Sequence, residues 1–170
     1  MGDRDMGRQP DGSVLFLVDG AGANCVHGPN LVAYWDRFEV PSGHISIPME
    51  VEHQADRIKK EYLAALYELG KTAVGSQSLQ EYLVVAPHLS SWWLTHVYQK
   101  CPLKSPRIYD VYRLRALELA VLKHGVSGLR YQGRDLRVAE AVKDWCAAAG
   151  LSFVWDVTLR AKLASYAADL

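Results

Sequence analysis

Apolar residues along the chain fall into short continuous runs and longer stretches of helical spacing, punctuated by glycine and proline. The first run, Ser13-Val14-Leu15-Phe16-Leu17-Val18, closes on Asp19-Gly20. A run of strand formers without polar alternation predicts a strand buried on both faces, as in a parallel sheet. Gly20, Gly22, Gly28, Pro29, Pro41, Gly43 and Pro48 then break up the chain. This stretch reads as loop with one short helix over 31–38. Over 51–69 the period changes: Ile58, Tyr62, Ala65, Leu66 and Leu69 recur three and four residues apart, with charged residues on the other face. That pattern predicts an amphipathic helix, with Gly70 placed as a left-handed C-cap. Ser78-Leu79-Gln80-Glu81 fits a capping box or the start of a turn ahead of the apolar Tyr82-Leu83-Val84-Val85. The stretch 90–98, bracketed by Pro87 and Pro102, suits either helix or strand.

The second half is easier to read. Ser105-Pro106 can open a helix, because Ser caps and Pro at the first position forfeits no needed N–H. Ile108, Val111, Tyr112, Leu114, Leu117, Leu119, Val121 and Leu122 follow, and Gly125 ends the helix. Apolar residues around most of its circumference imply burial on several sides. A strand over 126–131, a helix capped by Asp135 and stopped by Gly150, and a strand over 151–155 make one βαβ unit. A last helix is expected over 158–170. The predicted fold class is α/β: a single Rossmann-like domain over 13–157, its parallel sheet covered by helices on both faces, after a flexible tail at 1–12.

Composition adds mainly exclusions. With 49% hydrophobic and 22% charged residues, the 170-residue chain is ordinary globular material and not a disordered one. Nineteen acids balance nineteen bases, so nucleic acid is not an expected partner, since phosphate binding needs surplus cations. The balance is uneven: residues 1–61 hold six bases and ten acids, whereas 99–170 hold twelve and seven. The basic half is either an ordinary solvated face or a cleft that attracts phosphates or acidic sugars. Cys25, Cys101 and Cys146 are odd in number and lack C-x-x-C spacing, so they read as reduced thiols. No apolar signal region and no membrane-length run is visible, which points to a cytoplasmic protein without a transmembrane segment.

Known catalytic fingerprints are missing. Asp19-Gly20-Ala21-Gly22-Ala23-Asn24 follows a strand, so Gly20, Gly22 and Asn24 are candidates for a weak phosphate loop. Cys25 stands where a third fingerprint glycine belongs, and a plain strand-end turn is the competing reading. The six histidines show no H-x-x-x-H spacing, and Cys25 with His27 is too small a set for a metal. Glu50, Glu52 and His53 are close enough in sequence for acid/base work, and the competing reading is that they are solvated loop residues. No metal and no cofactor is expected, and no catalytic residue is named.

The most distinctive block runs from Ser90-Ser91-Trp92-Trp93-Leu94-Thr95-His96 through Lys100-Cys101-Pro102-Leu103-Lys104-Ser105-Pro106-Arg107-Ile108-Tyr109. Adjacent tryptophans leave a regular element in different directions, so one can be core while the other meets a ligand. Alternatively, both pack beneath the proline-rich loop. Aromatic faces suit sugar rings, and lysines suit phosphate or carboxylate groups. Trp92, Trp93, His96, Lys100, Lys104, Ser105 and Tyr109 are the candidate ligand-binding residues.

The order S-W-W, then K-x-P-x-K-S-P-x-I-Y, then a leucine-rich helix resembles a family of bacterial surface-carbohydrate biosynthesis proteins of the O-antigen and capsule type. The resemblance covers roughly residues 78–155. It implies a role in building lipopolysaccharide or capsule on a two-Rossmann, glycosyltransferase-like framework. Members of that family are longer, so it further implies an acceptor-side N-terminal domain that lacks the nucleotide-sugar domain and transfers no sugar alone. The implied partners are a carbohydrate or lipid-linked saccharide acceptor and a second copy or second glycosyltransferase chain. The alternative is a non-catalytic α/β interaction or regulatory module that self-associates or pairs with another chain.

Overall fold

The computed structural model describes residues 13–20, 31–95 and 107–156. The expected tail at 1–12 and helix at 158–170 lie outside them. The described chain groups into two compact units, one from residues 1–47 with 119–170 and one from 48–118.

The first unit is built on a five-stranded sheet, and the fold class is α/β and Rossmann-like. β1 (Val14–Val18), β2 (Leu31–Tyr34) and β3 (Ile45–Ser46) come before the second unit in the chain; β8 (Gly128–Gln132) and β9 (Ser152–Trp155) come after it. Every pairing is parallel and the spatial order is β3-β2-β1-β8-β9. Counted along this sheet alone, that is the 3-2-1-4-5 order of a Rossmann half. β1 lies centrally, with Leu15 and Leu17 fully buried and Val18 nearly so. Its partners pair in register from Leu15 opposite Leu31 on one side and Val14 opposite Gly128 on the other. Val18, Val32 and Tyr34 pack with Phe16 and Val40 beneath one end.

The helix expected over 31–38 is a strand instead, β2. Leu31-Val32-Ala33-Tyr34 has two sheet neighbours, β1 and β3, to pair with, and this pairing overrides a weak local helical preference. Across β8 and β9 the βαβ reading holds. Asp135 caps the helix Leu136–Ala148 by accepting from the Arg137 and Val138 amides. Val138, Ala139, Val142 and Cys146 of that helix are buried, and it packs on β8 and β9. Burial pushes the Cys146 thiol up to about 11, so at neutral pH it is an inert core residue.

The second unit holds the helices α1 (Ile47–His53, its first residue in the other unit), α2 (Ala55–Lys71) and α3 (Leu79–Tyr82). It also holds the first part of α4 (Ile108–His124), whose last turns belong to the first unit. The helix capped by Asp135 is therefore α5. Two small antiparallel ladders complete the second unit: β4 (Ala73–Val74) with β5 (Gln77–Ser78), and β6 (Val84–Ala86) with β7 (Leu89–Ser90). Glu50, Glu52 and His53 lie on α1 rather than in a loop.

Two helix expectations are also revised. Gly70 is not a C-cap but a buried residue inside α2. A Cβ built there would lie 3.2 Å from Trp92 Cε2 and Nε1. Glycine is needed here for close approach, not for a left-handed turn. In α4, Ile108, Ala116, Leu117, Ala120 and Val121 are buried, but Val111 and Leu122 share an exposed face. Burial on several sides is thus not what the apolar sequence produces. Gly125 does end this helix, with φ of +61°, a backbone region that costs other residues free energy.

α2 and α4 are joined by charge. Arg115 Nε donates to Glu61 Oε2 at 2.7 Å and Nη2 donates to Glu61 Oε1 at 3.1 Å. The same guanidinium pairs with Glu118, and Arg57 donates to Glu61 from one turn away. The Arg115 hydrogen bonds, then that of Arg57, hold the Glu61 carboxyl at about 2.

Candidate functional site

The two tryptophans of the distinctive block have different fates. Ser90 caps a 3-10 turn, Ser91–Leu94, by accepting from the Trp92 amide at 3.3 Å. The Ser90 hydroxyl in turn donates to the Gln80 carbonyl at 2.6 Å, and Ser91 donates to the Leu83 carbonyl at 3.0 Å. These bonds fasten the turn to α3 and orient the doublet. Trp92 is 5% exposed and seats on Gly70, so it is a core residue and does not share a ligand face with its neighbour. Trp93 is 39% exposed.

Trp93 lines an open recess of about 360 Å³. α3 contributes Gln80 and Glu81, its cap contributes Ser78, and the β6–β7 hairpin contributes Val84, His88 and Leu89. The capping box seen in the sequence is present in full. Glu81 N donates to Ser78 Oγ at 3.3 Å, while Ser78 N and Oγ each donate to Glu81 Oε2 at 2.7 Å. Those bonds, the amide's first, hold the Glu81 carboxyl below its ordinary range, so it is an anion at neutral pH. His88 follows Pro87 in the two-residue connection of the hairpin and has φ of +66°. Such a turn ordinarily takes glycine at this place, so the imidazole is held at the rim at a backbone cost. The recess therefore combines an indole, a carboxylate, an amide, hydroxyl groups and an imidazole over a small apolar floor.

Of the other expected ligand residues, Tyr109 is not part of the recess lining. Tyr109 lies on the first turn of α4, its ring edge-on to Tyr112 at 6.3 Å; Tyr112 meets Tyr62 edge-on at 5.2 Å. His96, Lys100, Lys104 and Ser105 lie outside the described residues. Glu81, Gln80 and His88 were not singled out as binding residues. The capping box marked Glu81 as structural, and only the hairpin shows that it also borders a recess.

The other place to look is the sheet's C-terminal edge between β1 and β8, where the connections diverge and ligands of such folds commonly bind. Gly20 has φ of +89°, and its amide donates to Asp36 Oδ1 at 3.4 Å. Arg37 Nη2 donates to the Gly20 carbonyl at 3.0 Å. Gly22 and Asn24 lie outside the described residues. Tyr131, fully buried, donates its hydroxyl to Asp19 Oδ2 at 2.7 Å. Burial, then the Asp19 carboxylate, pushes that hydroxyl far up, so it remains a donor. Asp135 occupies the first amides of α5. In the described part of this edge, carboxylates already take N–H groups that a phosphate would use.

Among the described residues, no group of three or more His, Cys, Asp or Glu could hold a metal ion. No described helix is long and apolar enough to cross a membrane. No family model, curated protein or solved structure matches the chain.

Proposed function

We propose that the chain acts in surface polysaccharide biosynthesis of the O-antigen or capsule type, as the domain that holds the saccharide acceptor for a glycosyltransferase. The single observation behind this reading is Trp93, partly exposed on a recess whose lining includes hydroxyl, amide and carboxylate groups beside Val84, Leu89 and His88. Sugar rings present C–H faces that stack on an indole and hydroxyls that need just such partners. The recess is near the small end of the roughly 300–1,000 Å³ range of ligand sites, a size for one sugar ring rather than a nucleotide sugar. The reading assigns this chain the acceptor, on the cytoplasmic side, and leaves the donor to a partner domain or chain.

Isothermal titration with a panel of bacterial oligosaccharides tests it. The expected result is binding that Trp93→Ala abolishes while its circular dichroism and unfolding midpoint stay as in the parent. Absence of binding across the panel overturns the reading.

A second reading, a non-catalytic interaction module, draws on a different observation. Twelve of the seventeen exposed large hydrophobic residues described lie in the 48–118 unit, among them Val85 and Leu94. Exposed apolar surface of that kind drives association. Light scattering that finds only monomer at high concentration counts against it.

A further inference from the structure

Building on the acceptor reading, we propose that the Trp93 recess selects a neutral or amino sugar and rejects an acidic one, with Glu81 Oε1 as the acceptor for a sugar hydroxyl or ammonium group. Among the described residues, the lining contains one carboxylate and no lysine or arginine. Both amide and hydroxyl of Ser78 bind Glu81 Oε2, and among the described residues Oε1 accepts nothing. The carboxylate is thus fixed in place with one oxygen unoccupied. Its charge is stable as well, because the Ser78 bonds favour the ionised form.

A uronic acid or phosphorylated sugar seated on Trp93 would bring a second anion beside Glu81, with no lysine or arginine among the described lining residues to offset it. Like charges so placed disfavour a ligand. An amino sugar reverses the sign, and a neutral sugar loses nothing. The basic character of residues 99–170 had suggested anionic ligands. The wall of this recess has the opposite character.

The test compares maltotetraose and tetragalacturonate by isothermal titration at about pH 8, above the ordinary histidine range, and adds a chitosan tetramer at about pH 6, where its amines are protonated. The parent chain and Glu81→Gln are both measured. Glutamine also serves at the third position of a capping box, so this variant keeps the α3 cap while removing the charge; circular dichroism checks that it does. The expected result is tetragalacturonate binding about tenfold or more weaker than maltotetraose, equivalent to ~1.4 kcal/mol, with the gap narrowing in Glu81→Gln. Tetragalacturonate binding as tightly as maltotetraose, or a gap unchanged in Glu81→Gln, overturns the selectivity and leaves the acceptor reading standing. Binding of none of the three overturns this proposal; the wider panel above then decides the acceptor reading separately.

Discussion

The sheet unit and the 48–118 unit spend similar apolar compositions in opposite ways. In the first, Leu15, Leu17, Leu129, Tyr131, Val142 and Cys146 are less than 2% exposed, where the paired strands and α5 pack together. In the second, Tyr82, Val84, Val85, Leu89, Trp93 and Leu94 remain at the surface around short ladders and a four-residue helix. Elements that short cannot cover one another. The contrast teaches that stability in this chain is concentrated where the sheet is, while recognition can occupy a region whose apolar groups stay available.

The largest effect expected from this contrast is at the sheet's centre. Leu17→Ala should lower unfolding stability by about 2–5 kcal/mol, the cost of an unfilled space in a packed core. Trp93→Ala should cost less than about 0.5 kcal/mol, as for surface changes generally. Urea titration of both variants measures this, and comparable losses would erase the distinction between the two regions.

A second, smaller effect depends on pH and belongs to the 48–118 unit. Glu61 ordinarily titrates near 4.5 and is held at about 2 in the folded chain, first by Arg115 and then by Arg57. A depressed folded value means the carboxylate stabilises the fold above its ordinary range. That contribution is lost progressively as pH falls from about 4.5 toward 2. Glu61→Gln should therefore lower the neutral-pH urea midpoint and flatten its decline over this interval. Added salt should shrink the difference, since the pair is partly exposed. An acid limb with unchanged slope in the variant would show that other carboxylates govern it.

The smallest effect is local. His88→Gly should raise stability by less than about 1 kcal/mol, because the relief of a left-handed non-glycine backbone is partly cancelled by glycine's greater unfolded freedom. If the variant also weakens saccharide binding, the strained turn is retained for the imidazole it presents. A stabilised variant with unaltered binding would make His88 a bystander.

Much of the sheet could be read from single stretches. The run at Val14–Val18 and the Asp135-to-Gly150 helix with its flanking strands were legible because their signals are local: uninterrupted apolar residues, a capping carboxylate, a terminating glycine. β2 was not legible, because four residues carry no period, and only pairing beside β1 makes them a strand. Gly70 shows the same limit. Its position near a helix end suggested a cap, and nothing nearby in sequence reveals that Trp92 needs the space.

The candidate site divides in the same way. The tryptophan doublet stood out by composition, and geometry then separated a buried ring from an exposed one. Glu81 and His88 acquired a possible binding role only when α3 and the β6–β7 hairpin were seen to border one recess. Residue order alone determined the α/β class, the Asp135 cap and the helix ends at Gly125 and Gly150, since each depends on a few neighbouring dihedrals and hydrogen bonds. Tertiary structure decided which apolar residues are covered and which polar groups converge, because burial and convergence depend on distances between segments that the order of residues does not contain.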